Sequence, residues 1–155
     1  MRIDPKIFAK TIRTIVTAGG GRVGPCSKNT LAWCHTHKLP KEIVDLFQSL
    51  TPKSDIWAGA GALYGERMIL KYNDDFPEAL QAMLFIVGSA PNGDHIAIDL
   101  VDGRTGYISH EQNGTIQPRK YFVAVSPSIG CFLRDINMDP SKIPDDYWSA
   151  KTGGI

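Results

Sequence analysis

The stretch LFIVGSAPNGDHIAIDLVDGRTGYISHE, Leu84 to Glu111, decides the fold. Within it LFIVG, HIAIDL and TGYISH alternate at a period of two, the mark of half-buried strands, and Pro91-Asn92-Gly93 and Asp102-Gly103 between them are turn formers. YFVAV, Tyr121 to Val125, supplies a fourth strand. If Asp102-Gly103 is a two-residue hairpin loop, Val101 pairs with Arg104. Counting back then sets Asp99 opposite Gly106, Ala97 opposite Ile108 and His95 opposite His110.

On either side of this core the period lengthens. Asp4 and Pro5 read as a cap and first turn, and Phe8, Ile12, Ile15 and Val16 recur at helical spacing until Gly19. Asn29 to His37 holds one or two more turns. Leu39-Pro40 opens a helix whose stripe is Ile43, Val44, Phe47 and Leu50, and Thr51-Pro52 ends it. The small-residue run AGAGAL follows Trp57 and leads to YGERMILKY, which reads as β-compatible. Asn73 or Asp74 then caps a brief helix carrying Phe76, Pro77, Ala79, Leu80 and Met83. After Ser126-Pro127 the residues Ile129, Phe132, Leu133 and Ile136 share a helical face, which Pro140 ends. The tail from residue 140 to 155 is too polar to pack alone. The expectation is an α+β fold: a single domain over 1–155 with a mostly antiparallel, twisted sheet wrapped by N-terminal and C-terminal helices.

A chain of 155 residues and 17.0 kDa is long enough to bury roughly 68 to 70% of its unfolded surface without staples. Its 43% hydrophobic and 21% charged content excludes disorder and fibrous repeats. AMLFIVG is far shorter than the roughly 20 residues of a spanning helix. MRIDPKIF does not read as a signal peptide, and Cys26, Cys34 and Cys131 are odd in number and irregular in spacing, so a cytoplasmic protein with reduced thiols is expected. The net charge of +1 hides an asymmetry: residues 1–53 carry nine Lys/Arg against three Asp/Glu, residues 54–111 carry three against nine, and the remainder five against four. An acidic middle third would steer basic partners and repel nucleic acid; equally, the segments would neutralise each other in the fold.

No catalytic set emerges. Opposed histidines at 95 and 110 would have Cβ atoms about 4.5 to 5.5 Å apart, but the strands supply no third zinc ligand, because Asp99 lies about 13 Å further along. Asp94 and Glu111, opposed beside the turns, are expected to be solvated, with nothing apolar around them to shift a pKa. GGGRVG places Gly19, Gly21 and Gly24 at dinucleotide-binding offsets, yet they close a helix instead of opening one. Cys26, Cys34, His35 and His37 match no zinc knuckle, and Cys34 and its neighbour His35 do not face each other. Asn113-Gly114-Thr115 is read as a turn. The basic residues of the first third lack interleaved aromatics, which favours a solvated helix face over a nucleic-acid surface. No metal and no cofactor is expected.

LPKEIVDLF, the strand pair quoted above and SPSIGCFLRDI together resemble the SUKH superfamily, immunity proteins related to the yeast cell-wall synthesis regulator (Smi/Knr type) and to Syd. Gly93-Asp94, Ile96, Ile98, Asp99, Gly106 and Phe132-Leu133 occupy the places of that pattern. The resemblance covers Leu39 to about Ile136. Residues 1–38 are a helical N-terminal part, and for the family's early tryptophan and Asn-Gly-Gly the chain offers only Trp57 and Gly59-Ala60-Gly61. The resemblance implies a non-enzymatic bacterial domain, a monomer or weak homodimer, that binds and occludes a cognate protein toxin, often a nuclease and basic. It would use Glu66, Asp74, Asp75, Asp94, Asp99, Asp102 and Glu111 with Tyr64, Tyr72 and Tyr107 as anchors, and would touch neither nucleic acid nor membrane. The alternatives are an intracellular regulatory or scaffold module, and a small metalloprotein or enzyme built on His95 and His110.

Overall fold

A computed structural model of the chain describes residues 1–59, 61–112 and 117–138. Ala60, the Asn113-Gly114-Thr115 turn, Pro140 and the tail lie outside the described residues. In chain order the elements are α1 (Pro5–Thr17), β1 (Val23–Gly24), α2 (Lys28–Thr36), α3 (Lys41–Leu50), β2 (Thr51–Pro52), β3 (Ile56–Ala58), β4 (Gly61–Leu63), α4 (Glu66–Asp75), α5 (Pro77–Gln81), β5 (Leu84–Ser89), β6 (His95–Asp99), β7 (Thr105–Ile108), β8 (Phe122–Ser126) and α6 (Ile129–Met138). This is an α+β fold.

Local chemistry explains most boundaries. Pro5 suits the first turn of α1, Phe8, Ile12 and Ile15 are its buried stripe, and Gly20 donates its N–H back to the Ile15 carbonyl after Gly19 turns out at φ 86°. Asp4 does not cap α1 with its side chain, as the sequence suggested. It adopts φ 52° and turns its carboxylate to Arg2 Nε at 2.8 Å and Ser128 Oγ at 2.6 Å, tying the chain start to α6. Ser27 is the working cap of α2, accepting the Thr30 N–H.

Two regions depart from the sequence reading. Tyr64 to Tyr72 is not β: α4 forms there because Glu, Arg, Met, Leu and Lys are helix formers and the buried positions, Ile69 and Asn73, are four apart. AGAGAL is not mere connector, since Gly61 to Leu63 pair with β3 and β5.

The main sheet has six strands in the order β3-β4-β5-β6-β7-β8, each antiparallel to its neighbour. β5, β6 and β7 are buried nearly throughout, so both faces are covered. Cross-strand pairs share a face, and one row runs through all the strands: Trp57, Ala62, Ser89, His95, Ile108 and Phe122. On the opposite face Tyr107 meets Phe132 of α6 with ring centroids 5.7 Å apart, and α6 packs in turn on α1. Phe85 is ringed by Trp33 and Phe47 at 6.2 and 5.8 Å.

β4 stops at Leu63, which leaves the backbone of Ile86 without a strand partner on that side. Asn73 of α4 fills the gap. Its amide nitrogen donates to the Ile86 carbonyl and its amide oxygen accepts the Ile86 N–H, at 2.8 and 3.0 Å. A single buried side chain thus satisfies both ladder groups of one strand residue.

The β6–β7 hairpin corrects the expected register. His95 pairs with Ile108, Ile96 with Tyr107, Ala97 with Gly106 and Ile98 with Thr105. The Asp99 N–H bonds the Arg104 carbonyl, so the loop holds Leu100 to Gly103, not two residues. Side chains explain the wider loop. The Asp99 carboxylate accepts the Val101 N–H and that of Asp102 accepts the Arg104 N–H, while Gly103, at φ 91°, donates its N–H to the Asp99 carbonyl. A slip of two residues keeps every side chain on its face but separates the two histidines.

Candidate interaction surface

The ten side chains singled out from the sequence fall into three places. Asp94 stands at the β5–β6 turn, 1% exposed, where it accepts the His110 backbone N–H at 3.0 Å and meets His110 Nδ1 at 2.6 Å. Asn92 braces the same carboxylate at 3.1 Å. Glu111 is exposed just beyond. Tyr107 is buried under α6, and burial pushes its hydroxyl up to about 12. Asp94 was expected to be solvated; it is interior because the turn folds over it, and neither it nor Tyr107 reaches a partner-facing surface.

The second place is the β6–β7 turn. Arg119 grips the buried Asp99 with two bonds, of 2.9 and 2.7 Å, and Arg104 approaches to 3.8 Å. Burial alone would raise the Asp99 pKa; the Arg119 bonds, the Val101 N–H and the two guanidinium charges outweigh it and hold the carboxyl below its ordinary range. Asp102 pairs with Arg104 at 2.7 Å. Asp99 is therefore internal, and only Asp102 remains partly open.

The third place is α4 and its approach. Tyr64 stacks on Tyr72 at 4.7 Å and 13°, Tyr72 continues to Phe76 at 6.4 Å, and both Tyr72 and Phe76 tilt against His95 at 5.5 and 5.2 Å. Tyr64 is buried, its hydroxyl pushed up to about 12 chiefly by burial, whereas Tyr72 is half-buried. Glu66 accepts the Ser27 N–H at 2.6 Å and Lys53 Nζ at 2.9 Å. Burial pushes its pKa up, but hydrogen bonds from Lys53, Thr30 and Ser27 prevail and hold it at about 2. Asp74 accepts Trp33 Nε1 at 3.0 Å beside His37, and Asp75 pairs with Lys71 at 2.6 Å.

The acidic middle third is thus no open acidic face. Asp55, Glu66, Asp74, Asp75, Asp94, Asp99 and Asp102 all have partners within the fold. Several of those partners, among them Lys53, Trp33 and Arg119, come from the flanking thirds. The neutralisation reading holds only in part: Lys53–Glu66 and Arg119–Asp99 join the middle third to its flanks, while Asp75, Asp94 and Asp102 are paired within it.

What sequence reasoning missed is Trp57. It is 67% exposed on β3, an edge of the sheet, and begins the row that passes Ala62 and Ser89 to His95. Alternation within IWA, with Ile56 and Ala58 buried and Trp57 out, was the available signal. Elsewhere the chemistry is restrained. Among the described residues no three His, Cys, Asp or Glu side chains gather as a metal-binding group. Cys34 is buried, which together with nearby Cys26 pushes its thiol up to about 11, so little thiolate forms at neutral pH. His95 lies in the aromatic cluster while His110 follows β7 in a 3-10 turn, so the histidine pair considered from the sequence does not form. Among the described residues no helix is long and apolar enough to cross a membrane. Comparison with protein-family models and with curated proteins returns no match.

Proposed function

We propose that this chain is an immunity-type protein of the SUKH kind, which neutralises a cognate bacterial protein toxin by binding and covering it. Exposed Trp57 carries the reading. A large apolar ring held in water on a short strand of a well-packed sheet has the makings of a binding anchor, the residue type most enriched at interface hot spots. Tyr64, Tyr72 and Phe76 back it on the same face of the sheet, and half-exposed Asp74 and Asp75 form a negative rim at the end of α4. A basic, nuclease-type toxin suits that rim, whose carboxylates, being paired, would speed encounter more than deepen affinity.

Co-expression with the open reading frame that precedes this one tests the reading. A stoichiometric complex that survives high salt and rescues growth is expected, and Trp57→Ala should weaken it by about 30-fold or more, in line with a loss of at least 2 kcal/mol at a hot spot. Absence of both complex and rescue would sink the immunity reading. A complex that Trp57→Ala leaves intact would move the contact away from β3.

A further inference from the structure

The solvent face of α1 carries Lys6, Lys10 and Arg13, spaced four and three residues apart and so aligned on one side of the helix. All three are exposed, and none has a carboxylate within ion-pair distance among the described residues, a state shared with Arg22, Lys28, Lys38, Arg67 and Lys120 but met here three times on one helix face. Pro5–Thr17 contains no Asp or Glu. Like charges at these spacings repel and cost helix stability, and no acidic side chain of α1 relieves that repulsion. The row itself borders an open, shallow surface over α1, with Ala9, Thr14, Thr17 and Ala18 between and beyond its cations. A second depression lies between α1 and α6, where Ile7 and Met138, the latter 72% exposed, sit among Lys10, Thr11, Arg134 and Asn137.

We infer that this face docks an acidic, amphipathic protein segment, its carboxylates on Lys6, Lys10 and Arg13 and its apolar side chains against Ala9 and Ala18 of α1 and against Ile7 and Met138 at the α1–α6 depression. The surface is separate from the Trp57 side and does not depend on the toxin reading. Charge complementarity selects an acidic occupant. The pattern disfavours nucleic acid: Lys6 to Arg13 spans about 10.5 Å of helix, room for far fewer than six to ten phosphate contacts, and α1 itself offers no exposed aromatic ring to stack a base.

The test uses the full chain and a synthetic amphipathic helical peptide with Glu on one face and Leu on the other, followed by fluorescence anisotropy. Its Lys-for-Glu counterpart and a single-stranded oligonucleotide serve as competitors. The acidic peptide should bind, weaken with added salt, and lose about tenfold or more in affinity to the Lys6→Glu/Lys10→Glu/Arg13→Glu variant. The Lys6→Gln/Lys10→Gln/Arg13→Gln variant should fall between, and it decides the matter if the first fails to melt like the parent. No binding of the acidic peptide, undiminished binding by the variants, or tighter binding of the Lys peptide or the oligonucleotide would overturn the proposal.

Discussion

The nine carboxylates of residues 54–111 and the three cations of α1 differ in fate as well as in sign. Asp94 and Asp99 are drawn inside, Glu66 is gripped by Lys53 and Ser27, and Asp74 is tethered to Trp33. Lys6, Lys10 and Arg13 stay in water with no ionic partner among the described residues. Charge along a sequence therefore says little about charge at a surface. A carboxylate beside a turn is easily consumed by the N–H groups that turn leaves open, as Asp99 is by Val101 and Asp102 by Arg104. A lysine on a helix finds a local acceptor only where an acidic residue stands a turn away, as Asp75 does for Lys71, and α1 has none.

If the middle third is committed to the fold, breaking its polar contacts should cost stability. The largest effect is expected at Asn73→Ala, which strands the N–H and carbonyl of Ile86 in a buried setting; about 3 to 4 kcal/mol by urea unfolding is the expected loss. Asp99→Ala comes next, at about 2 to 3 kcal/mol, less than for a fully buried pair because Arg119 is partly exposed and rehydrates. A loss under about 0.5 kcal/mol in either would break the contrast drawn here.

Acid provides a third test. Glu66 in the fold is held at about 2 against an ordinary 4.5, so as the pH falls the unfolded chain takes up the proton first. The stability Glu66 confers is complete above about 4.5 and is lost as the pH falls toward 2. Asp99, also held low, acts in the same direction. Glu66→Gln should flatten the acid limb of a stability–pH curve in that window and leave the shape above pH 6 unchanged; an unaltered acid limb would show that Lys53 and Ser27 do not hold this carboxylate.

The strands from Leu84 to Ser126 were legible as short apolar runs bounded by turn formers, although β5, β6 and β7 are covered on both faces and not half-buried as a period of two implied. So were α1, α3 and α6, whose stripes are equally local. The register of β6 on β7 was not, because two aspartate side chains widened a loop that its Asp-Gly pair marked as two residues. α4 was misread because Tyr64, Ile69 and Tyr72 suggest a strand when their helix-forming neighbours are discounted. The candidate site was only partly legible: Tyr64, just ahead of α4, and Tyr72 within it do come together, but Tyr107 lies across the sheet against Phe132. Local partners such as Lys71 for Asp75 and Arg104 for Asp102 are written in the spacing, but Lys53, Trp33 and Arg119 reach Glu66, Asp74 and Asp99 only once the chain has folded.

The smallest effect sharpens the other half of the contrast. Lys10 has Lys6 four residues before it and Arg13 three after it, so it repels both neighbours, and among the described residues it has no ionic partner. Lys10→Glu replaces two repulsions with two attractions on the same helix face. It should leave the melting temperature within about 2 °C of the parent and, if anything, raise it slightly, the reverse of what Asp99→Ala does. A clear drop on heating would mean that Lys10 is already engaged within the folded chain. It would then be no more available to an acidic partner than Asp99 is to a basic one, and the two thirds of the sequence would differ in sign alone.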